Sequence, residues 1–103
     1  MLIDGGTAAP KLRDSQLTTR LVLAPGDTLN VSCPLDGGTP APVITWSRYD
    51  GHLPSMTSPR YDVIGSQLMV TSLRLDDGGL YTCAASNVVG EDRRVFRLVV
   101  EGK

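Results

Sequence analysis

The sequence predicts an all-β fold, seven to nine short strands closing into a two-sheet sandwich or barrel. Three observations carry that expectation. Eleven Gly and seven Pro among 103 residues enforce frequent turns, and the stretches between them are too β-branched to favour long helices. Two segments alternate strictly: Leu29, Val31 and Cys33 against Thr28, Asn30 and Ser32, then Tyr81, Cys83 and Ala85 against Leu80, Thr82, Ala84 and Ser86. A period of two marks strands with one buried and one wet face. The two cysteines both fall on the inward parity, so they point into one core.

Size and charge narrow the class. A chain of 103 residues fits one domain. Ten Lys plus Arg against 11 Asp plus Glu leave a net charge of -1, which removes any global electrostatic case for nucleic acid. The mean hydropathy is -0.03, and no run approaches the roughly 20 apolar residues of a membrane span, so no membrane insertion by this segment is expected. Met1-Leu2-Ile3 runs into Asp4-Gly5-Gly6 without the basic leader and apolar stretch of a secretory signal. That pattern fits a cytosolic protein or a piece of a longer one.

The elements follow in order. Residues 1–9 carry no periodicity and read as a linker or expression remnant, as do 102–103, leaving a domain over 10–101. Pro10 to Asp14 is expected as a short edge strand, where proline is tolerated. Arg20 to Leu23 leads into the turn Ala24-Pro25-Gly26-Asp27, and the strand Thr28 to Cys33 ends at Pro34. Leu35 to Pro42, rich in Gly and Pro, is expected to be a loop. Val43 to Tyr49 places Ile44 and Trp46 on one face, and Asp50-Gly51 marks a tight turn. His52 to Pro59 reads as an irregular crossing. Tyr61 to Ile64 and Gln67 to Leu73 are strands around the hairpin turn Gly65-Ser66. Helical spacing of Leu68, Leu73 and Leu75 competes there, but Val70, Thr71 and the flanking glycines favour strand. Asp76 to Gly79 breaks the chain before the strand Leu80 to Ser86. The last strand, Asp92 to Glu101, sets Phe96, Leu98 and Val100 against Arg93, Val95, Arg97 and Val99. No internal repeat is present.

Cys33 and Cys83 lie 50 positions apart. Bonded, they would close a loop worth roughly 4 kcal/mol on the chain-entropy argument; two buried thiols are the alternative reading. Two distant cysteines and the single His52 do not make a zinc site, which needs four ligands in close pairs.

Cys33, then Trp46, then Asp77-Gly78-Gly79-Leu80-Tyr81-Thr82-Cys83 resemble the framework of immunoglobulin domains. The resemblance implies a Cys33–Cys83 bridge between the two sheets of a Greek-key sandwich, Trp46 packed over it, and Tyr81 as a tyrosine corner. It further implies that Asp77 pairs with Arg60 across the sandwich end. Gly38 to Trp46, Ala85 to Glu91 and the short interval from Trp46 to Arg60-Tyr61 look like the intermediate (I-set) class. Such domains occur in tandem in adhesion receptors, in perlecan-type matrix proteins and, inside cells, in giant muscle proteins. The resemblance therefore implies a non-catalytic extracellular spacer and protein-interaction module, with an intracellular sarcomeric or cytoskeletal domain as the alternative.

The residues themselves agree with a non-enzymatic reading. His52 sits in a proline-bounded crossing, and the Asp76-Asp77 pair falls at a strand end where a structural role is expected. No cofactor is expected: Gly37-Gly38 and Gly78-Gly79 precede strands, unlike a phosphate loop. Asn30-Val31-Ser32 is an N-glycosylation sequon with Asn30 on the solvent parity, which together with a bridge points to an oxidising compartment. Arg93 and Arg97 share the outward parity of the last strand, with Arg94 at its start. With Tyr49 and the small residues Thr45, Ser47, Thr82, Ala84 and Ser86 they form a flat face suited to a protein partner, an acidic protein surface or a neighbouring immunoglobulin-like domain among them, or, weakly, to an acidic polysaccharide. A solvated face whose charges blunt an edge is the plainer alternative.

Overall fold

The computed structural model describes residues 6–48 and 58–102. Among these residues the chain forms β1 (Ala8–Leu12), β2 (Thr18–Leu23), β3 (Leu29–Ser32), β4 (Leu35–Thr39) and β5 (Val43–Arg48). It continues with β6 (Tyr61–Ile64), β7 (Gln67–Val70), a 3-10 turn (Leu75–Asp77), β8 (Gly79–Ser86) and β9 (Glu91–Val100). The main layers are a four-stranded sheet in the order β2-β9-β8-β5 and a three-stranded sheet in the order β3-β7-β6. Neighbours pair antiparallel except β2 and β9, which run parallel from Thr18↔Val95 to Leu23↔Val100. The result is an all-β, two-sheet immunoglobulin-like sandwich.

The inward residues of both sheets make a single core. Cys83 on β8 is bonded to Cys33, just beyond β3, with their Cα atoms 5.9 Å apart, so the bridge ties one sheet to the other. Trp46 on β5 lies directly across from Cys83 and is buried with Leu29, Leu68, Val70 and Phe96. Its ring centroid is 5.6 Å from that of Phe96. The indole N–H donates to the carbonyl of Ser66 at 3.1 Å, and the same carbonyl accepts the Cys33 N–H at 2.9 Å. The β6–β7 turn is thereby stitched to both cysteine-bearing layers, with the buried indole N–H satisfied.

Three segments differ from expectation. β1 begins at Ala8, inside the segment read as a linker, because Ala8 pairs with Thr39 and its carbonyl accepts Asn87 Nδ2 at 2.8 Å. The Leu35–Thr39 stretch is a strand where a loop was expected. Its glycines lower strand propensity, yet β1 supplies the backbone partners that local sequence does not reveal. It is still no inner strand, since β4 pairs with β1 alone and the register shifts twice. Gly38 is required there: its φ is +139°, and a Cβ would fall 2.7 Å from Pro42 Cγ. β7 stops at Val70, short of the expected Leu73, because Ser72 adopts φ +52°, which no strand continues through.

Candidate protein-interaction face

The charged groups at one end of the sandwich are bound to one another. The Leu75–Asp77 turn carries the Asp77 carboxylate inward, where it is buried. Arg60, in the turn just before β6, grips it with two bonds, Nη1 to Oδ2 at 2.8 Å and Nη2 to Oδ1 at 3.1 Å. Oδ1 also accepts the Tyr61 hydroxyl at 2.7 Å, and Oδ2 accepts the Arg74 N–H at 2.8 Å. Tyr81 donates to the Asp77 carbonyl at 2.5 Å, the geometry of a tyrosine corner. The two phenol oxygens sit 3.1 Å apart, but each has spent its one proton on Asp77, so they touch without bonding in this arrangement.

Burial pushes the Asp77 carboxyl up, yet the bonds from Arg60, Tyr61 and the Arg74 N–H outweigh it and hold the group at about 2. Burial pushes both Tyr61 and Tyr81 above their ordinary values. Arg48 closes the corner from β5: Nη2 donates to the Gly78 carbonyl at 2.9 Å, and the guanidinium lies 5.1 Å from the Tyr81 ring centroid. Gly79 leaves it room, since a Cβ there, at φ +146°, would stand 3.1 Å from Arg48 Nη2. Every carboxylate lone-pair direction in use faces a structural donor, so this cluster anchors the fold. Asp76, its neighbour, is exposed on the same turn. Tyr81→Phe removes one hydrogen bond and should cost about 0.5–1.5 kcal/mol in chemical denaturation while leaving the fold intact; a loss of the fold would mean that the phenol does more than close the corner.

The outer face of the four-stranded sheet is built by register. Arg97 stands opposite Leu80 of β8 and opposite Arg20 of β2, so Arg20 joins the arginines expected from sequence. Arg93 lies further along β9 on the same exposed face and pairs with Glu91 at 2.8 Å. Thr45 and Ser47 of β5, with Thr82 and Ala84 of β8, complete a flat surface. Arg94 corrects the expected basic density: it shares the inward parity of Phe96, lies 4.9 Å from that ring's centroid and donates to Thr19 Oγ1. The alternation that buried Phe96 and Leu98 already carried this signal. Arg20 had no such signal, because only the parallel pairing of β2 with β9 brings it in. Tyr49 and His52 lie outside the described residues.

The opposite face, on β3-β7-β6, presents Asn30, Ser32, Gln67, Met69, Asp62 and Ile64 by the same register rule. Asn30 is exposed and its side-chain oxygen accepts Gln67 Nε2. At the β8–β9 end of the sandwich, Asn87 locks the connecting turn. Its Nδ2 donates to the carbonyls of Ala8 and Pro40 at 2.8 and 3.1 Å, and its Oδ1 accepts the N–H groups of Val89 and Gly90 at 2.9 and 3.2 Å. Val88 is left 86% exposed at the tip of this rigid turn.

The bridged two-sheet framework, the buried Trp46 and the Asp77–Tyr81 corner define a class, and comparison with known proteins agrees. The family profile described as the immunoglobulin domain matches residues 19–96, and the chain belongs to the immunoglobulin domain family. MAM domain-containing glycosylphosphatidylinositol anchor protein 1 of Gallus gallus is 38% identical over 84 residues, 82% of this chain and 8% of that protein. Immunoglobulin superfamily member 10 of Homo sapiens is 34% identical over 98 residues, 94% of this chain and 4% of that protein. The chain thus spans a small fraction of the length of these relatives. Among solved structures, the N-terminal four Ig domains of Dscam1 isoform 4.44 superpose with a TM-score of 0.82 at 18% identity, covering 95% of this chain and 26% of that one. That likeness is one of fold.

Proposed function

We propose that this chain is a non-catalytic, extracellular spacer and protein-interaction module within a longer tandem-domain matrix or adhesion protein. The observation that carries the reading is the division of charge. Asp77, Arg60 and Arg48 are consumed by internal bonds at the corner, whereas the outer face of β2-β9-β8-β5 holds Arg20, Arg93 and Arg97 exposed on a flat surface. Groups fixed in this way hold the fold, and arginine, enriched at protein interfaces, is the residue type that supports a partner-binding reading of the exposed face. The Cys33–Cys83 bridge favours an oxidising compartment, and a glycan on Asn30 would cover the opposite face and leave the arginine face for contact. Protein partners, neighbouring immunoglobulin-like domains among them, are the occupants this surface suits best.

The intact mass of the chain secreted from animal cells tests the reading. Reduction should add about 2 Da, the two hydrogens taken up by one disulfide, and glycosidase should remove mass that an Asn30→Gln variant never carries. A natively folded chain with both thiols free would overturn the extracellular reading in favour of the intracellular structural alternative.

A further inference from the structure

We propose that the Arg20–Arg97 pair is the centre of a docking site for an acidic polypeptide that sets an apolar side chain beside its carboxylates. The proposal rests on the interaction-module reading above and specifies where on the face the partner sits and what chemistry it carries. Arg20 and Arg97 are register partners on the parallel β2–β9 pair, so their Cα atoms are about 4.8 Å apart and both side chains leave the same face. Like charges directly opposite one another oppose sheet formation. Among the described residues neither guanidinium has a side-chain hydrogen bond or ion pair, in contrast to Arg93, which has Glu91. The pair is therefore an uncompensated double charge, its two backbone positions set by the register, suited to one or two carboxylates.

The rest of the molecule sharpens this. The outward positions of β2 and β9 carry Arg20, Arg93 and Arg97 against Glu91, with the exposed Glu101 just past β9, whereas the outward positions of the other sheet carry Asp62 as their charged group. A net charge of -1 over the chain conceals this polarity, which would orient an acidic partner before contact. The pair's surroundings favour a polypeptide over a sulfated sugar. Val22 and Val99 form the next outward register pair, and Val22 is 47% exposed. Arg97 also borders an open groove of about 610 Å³ that runs past Leu75, Leu80 and Val99 to Arg48 and Gly78 of the corner. Leu75 is 66% exposed at its edge. Apolar surface around arginines gains from a side chain that excludes water, which a polysaccharide does not offer.

The test uses a displayed library of random peptides, about a dozen residues long, selected on the whole chain at physiological salt, with heparin as a separate probe. Selected peptides should share Asp or Glu next to an apolar residue. Their affinity should fall about tenfold or more on Arg20→Gln/Arg97→Gln, fall on Val22→Ser/Val99→Ser, weaken with added salt and ignore Asp62→Ala on the other face. The single change Arg97→Glu separates binding from folding: the new carboxylate pairs with Arg20, so the melting temperature should hold or rise while binding is lost. Peptides that lack acidic residues, or that bind the double variant equally well, overturn the proposal. If such peptides are lost on Thr45→Arg/Thr82→Arg, the interaction-module reading survives without it. Heparin retention that depends on Arg20 and Arg97, with no acidic peptide selected, also overturns it in favour of a polysaccharide. No binding of any probe to either face overturns both readings.

Discussion

Replacing Trp46 with Ala should lower the stability of the domain by about 3–5 kcal/mol, the usual effect of emptying a large aromatic site in a core that cannot collapse to fill it. The indole stands across from Cys83, touches Phe96 and holds the β6–β7 turn through Ser66. Its loss therefore removes packing between the sheets and leaves the part-buried Ser66 carbonyl with one donor fewer. For a domain of this size the change should lower the melting temperature by more than about 10 °C. Calorimetry of the oxidised variant measures it, and an unchanged melting point would show that the core is not organised around this residue.

Asp77→Ala should have the second largest effect, about 3 kcal/mol, because it strands the Arg60 guanidinium and the Tyr61 hydroxyl together. The value sits at the lower end of the range for broken buried pairs because the Arg60 side chain keeps 18% of its exposure and can recover some hydration. The wild-type pH profile carries the same information. Asp77 is held at about 2 in the fold, against about 4 in an unfolded chain. A lowered carboxyl stabilises the fold fully above the unfolded value, and that contribution, about 2 kcal/mol, disappears as pH falls from about 4 to about 2. Tyr61 has the opposite sense. Its hydroxyl is pushed up, so the unfolded chain ionises first and stability declines as pH rises above about 10. Denaturant titrations from pH 2 to 7 should show the acid loss in the wild type and a reduced acid loss in Asp77→Ala; parallel curves would remove Asp77 from its stabilising role.

Legibility in the sequence followed the range of the forces involved. Alternation is local, so β3, β5, β8 and β9 and their buried residues could be read directly, and the spacing of Cys33, Trp46 and Tyr81 added the bridge, the core aromatic and the corner through family likeness. β4 was hidden because Gly37 and Gly38 mimic a loop, and the strand exists through backbone bonds to β1, far away in sequence. The Asp77 network was visible only as an Arg60 pairing and the Tyr81 corner. Tyr61 and Arg48 enter it from β6 and β5, which meet at the corner only after the sheets pack. The interaction face was half legible. Arg93 and Arg97 follow from parity, Arg94 was misplaced against that same parity, and Arg20 depends on a parallel pairing that no local period encodes.

The most direct measurement of the central claim, that the domain works through the outer face of its four-stranded sheet, is amide chemical-shift mapping of the labelled chain with a selected acidic peptide. The expected result is a contiguous set of shifts on β2, β9 and β8, centred on Arg20, Arg97 and Leu80 and reaching Leu75 at the groove's edge, with Asn30 and Asp62 on the opposite face silent. Shifts gathered instead at Asn87 to Gly90 and Leu35 to Pro42 would contradict the claim and move the binding site to the end of the sandwich.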